Sequence, residues 1–157
     1  MNITYKLMDS FDILENQEAL IKMINKTLED NIPQCFPKDL GEKYVNSMPT
    51  YIEDGSAIII GAFDKDKMIG FLWGYEVDIF GEKRIHNAEN HVAEEYRGCG
   101  IAKKMLEYLE EEARKRNIYI LEAMCTVSNG SAYRYHVKNG YEVERIKFKK
   151  ILKRKDS

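Results

Sequence analysis

One stretch of the chain carries the strongest structural signal: Arg97-Gly98-Cys99-Gly100-Ile101-Ala102-Lys103-Lys104. It joins a predicted strand to the clearest helix of the sequence, expected over residues 101–117. The start of a helix leaves backbone N–H groups without partners, and its dipole favours an anion. Glycines allow the backbone to wrap closely around a phosphate. Lysines in a first helical turn oppose the dipole, so Lys103 and Lys104 indicate that a polyanion binds here, with Arg97 able to add a contact.

Two common phosphate motifs are excluded at this turn. A dinucleotide fingerprint needs a third glycine at position 103, which is Lys103, and the P-loop pattern GxxxxGK[ST] is absent. The alternative interpretation is a glycine-containing turn between strand and helix that binds no ligand.

The remaining elements follow from hydrophobic periodicity and turn residues. Helices are predicted after the first strand, after Pro37, over 101–117 and over 131–139. The first of these helical regions is 11–31. The predicted extended segments are 2–7, 57–63, 68–77, 84–93, 118–125 and 141–152. This order predicts a mixed α/β sheet.

The strand over 84–93 is unusually polar. Such a strand is either exposed at a sheet edge or lines a polar site. Its polar residues are His86, Asn87, Glu89, Asn90 and His91.

Composition limits the function classes. A chain of 157 residues with 44% hydrophobic and 32% charged residues is typical of one globular domain, 1–157. Its net charge of −2 gives no reason to expect nucleic acid, and the basic residues 147–155 are interpreted as a solvated strand end. No apolar run approaches the ~20 residues that span a bilayer, so no membrane partner is expected.

The cysteines and the amino terminus point to a compartment. Cys35, Cys99 and Cys125 are far apart and odd in number, which builds neither a disulfide framework nor a metal pattern. Residues 1–10 lack a secretory signal. We therefore expect a cytoplasmic protein with free thiols and no metal.

Two motifs resemble the GNAT superfamily of acetyl-CoA-dependent N-acetyltransferases. The family signature [Q/R]-x-x-G-x-[G/A] is matched at residues 97–102, and a block N-x-x-A-x-x-ϕ-Y-x-x-x-G-[FY] is resembled by residues 129–141. The resemblance covers roughly residues 57–145. It implies a mixed, mostly antiparallel sheet flanked by helices, with strands four and five splayed to admit the pantetheine arm of acetyl-CoA, the cosubstrate.

The resemblance also implies the cofactor contacts. Main-chain groups near Asn90 and Val92 would bond the pantetheine arm, and an N–H there would polarise the thioester carbonyl. Asn129 would be a polar contact at the end of the fifth strand. The pyrophosphate would lie on the loop and first helical turn, formed by Arg97, Gly98, Cys99, Gly100, Ile101, Ala102 and Lys103.

The chain departs from the family pattern at the proton donor. The position that commonly holds a tyrosine, which protonates the departing CoA thiolate, is His136. Tyr135 occupies a position that is usually apolar and is expected to pack. Tyr133 shares a helix face with His136. The hypothesis is that His136 or Tyr133 is the acid, and the alternative is that His136 is only a polar residue at the site entrance.

The general base is sought on the polar strand. Counting with period two puts His86, Ala88, Asn90 and Val92 on one side, and Glu89 on the other with His91. His86 is therefore the first candidate, Glu89 the second, and Glu122 on the next strand the third. Each could equally be a structural polar residue.

Two function classes remain. The favoured class is an enzyme that moves an acetyl group to a primary amine by direct attack in a ternary complex. The alternative is an acyl-CoA sensor or partner-binding module. The acceptor stays open among protein amino termini, lysines, amino sugars, polyamines and aminoglycosides. Residues 141–152 could form the interface of a homodimer.

Overall fold

The computed structural model describes residues 1–32 and 35–156 of the chain. Five strands and five α-helices follow the predicted order, so the mixed α/β class is confirmed. The strands are β1 (Ile3–Leu7), β2 (Ala57–Asp64), β3 (Lys67–Ile79), β4 (Glu82–Val92) and β5 (Leu121–Ala123). The α-helices are α1 (Ser10–Glu15), α2 (Gln17–Asn31), α3 (Leu40–Glu53), α4 (Ile101–Lys115) and α5 (Gly130–Lys138), and a short 3₁₀ helix covers Glu94–Tyr96.

The sheet has the spatial order β1-β2-β3-β4-β5. The first three pairings are antiparallel, whereas β4 and β5 are parallel. The continuous apolar run of β2 is buried on both faces, as expected for a strand covered by helices on each side. Helix α4 packs on one face through Met105 and Leu109, and helices α1 to α3 cover the other, where Phe71 is buried.

The first helical region is divided in two. Asp9 and Asp12 form a reciprocal capping box at the start of α1, in which each side chain accepts a hydrogen bond from the other residue's backbone N–H. Asn16 then ends α1 and precedes α2. Periodicity alone did not predict this break.

Two extended segments at the carboxyl end differ from prediction. The strand expected over 118–125 pairs only over Leu121–Ala123. Residues 141–152, expected as extended structure, belong to no strand of the sheet and are almost entirely exposed. A β-ladder requires a paired neighbouring strand, and within the described residues no strand pairs with this segment.

A β-bulge in β4 changes which side chains share a face. Trp73 pairs with Glu89 and the following Gly74 pairs with Asn87, so Ala88 is an extra residue. Since the inserted residue interrupts the alternation, His86 lies on the same face as Glu89, opposite to Asn90. The period-two assignment of His86 to the side of Asn90 and Val92 was therefore wrong.

Of the helices in the described ranges, none has the length and apolarity needed to cross a membrane.

Candidate active site

The glycine turn places the first turn of α4 at the end of β4. Gly98 and Gly100 have φ angles of 76° and 78°, a left-handed conformation that residues with a side chain adopt at a cost. An added Cβ at either position would meet nothing within 4 Å, so the requirement for glycine comes from φ and not from crowding. Gly100 caps α4 without a side-chain hydrogen bond. Since no side chain caps this end, its first N–H groups can serve an anion.

The three basic side chains around this turn differ in their contacts and exposure. Arg97 is held by a hydrogen bond of 3.0 Å from its Nε to the carbonyl oxygen of Val92. Lys104 is bonded to Glu107 at 3.0 Å, whereas Lys103 is exposed. The side chain of Ile101 is buried in the core. Ile101 therefore offers an anion only its backbone amide.

Strands β4 and β5 part just beyond the bulge. They pair only from Ile85 to Asn87 on β4, and no β5 residue pairs with Ala88 or anything after it. A cavity of about 780 Å³ opens there. Among the predicted residues, it is lined by Glu89, Asn90, Val92, Arg97, Ala102, Asn129 and His136.

Glu89 is the predicted base that the structure brings into this cavity. Its burial raises the pKa of the carboxyl to about 7, and no other cause contributes. A carboxylate with a pKa near the working pH is suited to accept a proton from an amine.

His86 is held away from the cavity. Its Nδ1 lies 2.7 Å from Oε2 of Glu122, the third predicted base, and its side chain is buried. Arg84 lies 3.7 Å from the same carboxylate. This arrangement is that of a structural ion-pair group, and neither His86 nor Glu122 lines the cavity.

His91 was not among the predicted bases, but it lines the cavity. The hydroxyl of Thr27 donates to the carbonyl of Met23 at 3.0 Å and lies 3.2 Å from Nδ1 of His91. Since the hydroxyl has a single proton, it accepts from Nδ1–H, so that Nε2 is the unprotonated nitrogen of the neutral ring. Burial, followed by the charge of Arg97, lowers the pKa of His91.

The side chains of α5 that could donate a proton also differ in whether they line the cavity. Tyr133 is half-exposed and does not line the cavity, whereas His136 and Tyr135 do. The hydroxyl of Tyr135 accepts from Nδ2 of Asn90 at 3.3 Å and donates to the carbonyl oxygen of Ala102 at 3.2 Å. Tyr135 therefore bridges β4 and the start of α4, and the expectation that it only packs was wrong.

His136 lies between two aromatic rings. Its ring centroid is 5.5 Å from that of Tyr135 and 5.0 Å from that of Tyr141. Its Nδ1 is buried and has no partner within the described residues. Burial lowers the pKa of His136, so the imidazole is neutral at pH 7 and holds little of the imidazolium that would be a strong acid.

Asn129 caps α5 and also ties it to α2. Its side-chain oxygen accepts from the backbone N–H of Ala132 at 3.1 Å, and its amide nitrogen donates to Oδ1 of Asn31. Thr126 donates to the carbonyl of Asn31 at 2.8 Å. These bonds use the side-chain oxygen and one of the two amide N–H groups of Asn129, and Asn31, Thr126 and Asn129 all line the cavity.

No group of three or more residues in the described ranges could hold a metal ion. All three cysteines are free and exposed.

The fold belongs to a known class. The family model of the acetyltransferase (GNAT) family matches residues 21–141. The chain therefore belongs to the GNAT acetyltransferase family. No curated protein matches the sequence.

Solved structures share the fold at low sequence identity. An aminoglycoside acetyltransferase from an uncultured soil metagenomic sample has a TM-score of 0.75 and 18% identity, over 98% of this chain and 100% of that chain. A protein of Clostridium acetobutylicum, described as a predicted acetyltransferase and solved with acetyl-CoA, has a TM-score of 0.76 and 17% identity, over 96% of each chain. A ribosomal-protein-alanine N-acetyltransferase of Brucella melitensis biovar Abortus 2308 has a TM-score of 0.72 and 16% identity, over 96% of this chain and 100% of that chain.

Proposed function

We propose that this protein is an acetyl-CoA-dependent N-acetyltransferase that acts on a primary amine by direct attack in a ternary complex. One observation carries the proposal. The parted ends of β4 and β5 open onto a single cavity that reaches Arg97 and Ala102 of the glycine turn and also contains Glu89, whose pKa is raised to about 7. The residues suited to hold acetyl-CoA and a group suited to deprotonate an amine thus share one space.

The cofactor fits the residues around this cavity. The pyrophosphate would lie on the backbone amides of Gly98 to Lys103, and the pantetheine arm would enter between the strands along Asn90 and Val92. The bulge at Ala88 turns backbone groups away from the regular ladder. An N–H near this position would then bond the thioester oxygen.

The reaction would proceed without a covalent enzyme intermediate. The acceptor's ammonium group loses a proton to Glu89, directly or through water, and the neutral nitrogen forms a bond to the thioester carbon. The negative charge that develops on the carbonyl oxygen is stabilised by the main-chain N–H. The C–S bond then breaks and the thiolate takes a proton from Tyr135 or His136. The nitrogen loses its second proton, which returns to that donor through water. We rank Tyr135 first because its hydroxyl retains its proton at neutral pH: burial raises its pKa.

A cationic acceptor is favoured by the charges of the cavity wall. Asp30 of α2 lines the same cavity as Glu89, and two carboxylates attract an amine that carries further positive charge. Small polycationic amines such as aminoglycosides and polyamines therefore head the list, ahead of peptide amino termini. The three exposed thiols suit a reducing, cytoplasmic setting.

A sensor that binds acyl-CoA without transferring its acyl group is the second candidate. It is favoured by His136, which stands where the family commonly has a tyrosine and whose pKa is lowered by burial. Both candidates predict cofactor binding, and only the enzyme predicts transfer.

The test pairs isothermal titration of acetyl-CoA with a thiol-release assay over a panel of amines, with aminoglycosides, polyamines and a peptide amino terminus as its arms. We expect tight binding and amine-dependent release. Tight binding with only slow thioester hydrolysis would support the sensor. Absence of CoA binding would contradict both.

A further inference from the structure

Three side chains, one on β4 and two at the end of α5 and just beyond it, bury polar atoms that bond to no described residue. These atoms are both amide atoms of Asn87, Nδ1 of His136 and the hydroxyl oxygen of Tyr141. Asn87 as a whole is only 5% exposed. Folded proteins satisfy the large majority of their buried polar atoms, because a buried donor or acceptor without a partner is destabilising. Four such atoms therefore require a specific explanation.

The three side chains are neighbours. Asn87 lies opposite Gly74, whose Cβ, if present, would meet Leu109 of α4, so Asn87 projects toward the helix α4 side of the sheet. The ring centroids of His136 and Tyr141 are 5.0 Å apart. Burial raises the pKa of Tyr141 to about 12, and a contact with the Asn87 side chain opposes this rise. Asn87 is thus close to the Tyr141 hydroxyl, although neither side chain completes a hydrogen bond.

The donors and acceptors of these side chains match in one order. The phenol hydroxyl has one proton and the asparagine amide nitrogen has two, whereas one nitrogen of a neutral imidazole accepts. Because an imidazole nitrogen is more basic than a phenol oxygen, Tyr141 donates to Nδ1 of His136, and Nδ2 of Asn87 donates to the Tyr141 oxygen. With both bonds formed, Nδ1 is unprotonated and the ring has its proton on Nε2.

The other ring nitrogen of His136 is the one that can reach the reaction site. His136 lines the cavity, and of its two ring nitrogens only Nδ1 is buried without a partner. The same cavity contains Asn90, along which we place the pantetheine arm. A proton on Nε2 is therefore available to a group at the end of that arm.

We propose that Asn87 and Tyr141 are positioning residues that hold His136 as the neutral tautomer with its proton on Nε2, from which it donates a hydrogen bond to the departing sulfur. This inference rests on the proposed function, since the sulfur is that of acetyl-CoA. The N–H stabilises the negative charge that develops on the sulfur as the C–S bond breaks, while Tyr135 supplies the proton. The ring keeps its own proton, as suits an imidazole whose pKa is lowered by burial.

The first test reads the ring directly, by NMR of protein with isotope-labelled histidine. The chemical shifts of the ring nitrogens show which nitrogen has the proton, and the His136 signals are those missing from His136→Gln. In the native protein we expect the Nε2–H tautomer alone. Tyr141→Phe, which keeps the ring contact, and Asn87→Leu should each give a mixture of the two tautomers. The control Tyr119→Phe removes the hydroxyl of a tyrosine that is 75% exposed and should keep the native tautomer.

A native ring that is a mixture, or that has its proton on Nδ1, would overturn the proposal. A native tautomer that persists in both Tyr141→Phe and Asn87→Leu would overturn it as well, because the two residues would then not determine the position of the proton.

The second test is the rate of thiol release. Both variants should lower kcat by about tenfold or more, the effect of weakening a hydrogen bond to a charged group. The KM for acetyl-CoA should stay native, because the charge on sulfur develops only in the transition state. A native kcat in both variants would contradict the role at the sulfur. The NMR test needs neither acetyl-CoA nor an amine, so failure of the proposed function, seen as a native protein that releases no thiol, is distinguished from failure of this inference.

Discussion

Glu89 of β4 lies directly opposite Trp73 of β3, one step beyond the β-bulge at Ala88. Opposed residues of an antiparallel ladder project to the same face. The bulge therefore turns Glu89 toward α2 and α3 and into the cavity, where burial raises its pKa to about 7. Without the extra residue, the alternation would have directed the side chain at position 89 to the other face.

The first prediction concerns this carboxylate as a base. Glu89→Gln should lower kcat/KM by about 10²–10⁴-fold, the range by which a positioned base accelerates a proton transfer. In the native enzyme the rate should rise with pH through about 7, because the carboxyl must be ionised to accept the proton. The measurement is the pH dependence of thiol release.

The matched control for this base is Glu29→Gln, since Glu29 is exposed on α2 and does not line the cavity. It should keep both the rate and the pH profile. A pH profile of Glu89→Gln that retains its native shape would assign the proton transfer elsewhere, and His91, which lines the same cavity, is the next residue to substitute.

The second prediction concerns the effect of the buried Glu89 carboxyl on the free energy of unfolding. The folded pKa of Glu89 is about 7 and its ordinary value is 4.5. The folded state therefore binds more protons between these values, and stability falls as pH rises through this window. Glu89→Gln should be more stable than the native protein above pH 7, by up to about 3 kcal/mol. Urea unfolding at pH 5 and pH 8 tests this, and a difference that is independent of pH would contradict it.

The third prediction separates the two tyrosines of α5. Tyr135→Phe removes the hydroxyl that joins Asn90 to Ala102 and should reduce kcat by about 10²-fold or more if this group is the acid. Tyr133→Phe, on the same helix but half-exposed, should retain native turnover. Steady-state kinetics of both variants make the comparison. A native kcat in Tyr135→Phe, with only a loss of about 1 kcal/mol in stability, would limit its role to bridging.

The fourth prediction assigns His86 to structure. Its bond to Glu122 is short and partly buried, so His86→Ala should destabilise the fold by about 1.5–3 kcal/mol, as expected for a hydrogen bond to a charged group. The pH–rate profile should keep its native shape, since the imidazole does not line the cavity. A profile that loses its limb near pH 7 would restore His86 as the base.

The order of elements could be predicted because it depends on patterns that the chain repeats over many residues. The apolar stripe of α4 and the continuous apolar run of β2 each specify their own burial. The glycine turn could be predicted as a tight connection between a strand and a helix, and the left-handed φ of both glycines confirms that geometry; its binding of an anion stays a prediction. These features are local, and local sequence determines them.

The side-chain directions in β4 could not be predicted by counting. Period two assumes an uninterrupted ladder, and one inserted residue at Ala88 reverses every assignment on one side of it. The polar composition of residues 86–91 indicated a site, but not the face of the sheet on which His86 would lie. That depends on pairing with β3, which is a property of two strands together.

Tyr135 and the carboxyl-terminal segment were missed for a related reason. A buried tyrosine needs a partner for its hydroxyl, and this was the available signal at position 135. The partners, Asn90 and Ala102, are distant in sequence and are brought near only by the fold. Residues 141–152 were predicted as a final extended segment, but within the described residues they pair with no strand, since a strand also needs a neighbouring backbone that the sequence does not identify.

The last prediction tests the glycine turn as the pyrophosphate site. Gly98→Ala and Gly100→Ala each force a residue with a side chain into the left-handed region, at about 1–2 kcal/mol. Because the turn must hold this conformation for its amides to converge, the affinity for acetyl-CoA should fall at least tenfold, as measured by isothermal titration.

Gly55→Ala is the matched control, since Gly55 has a φ of 83° and nothing within 4 Å of an added Cβ, yet lies between α3 and β2. It should lose similar stability and bind acetyl-CoA normally. Equal loss of affinity in all three variants would show that the effect comes from general destabilisation, and the anion would then have to be bound elsewhere.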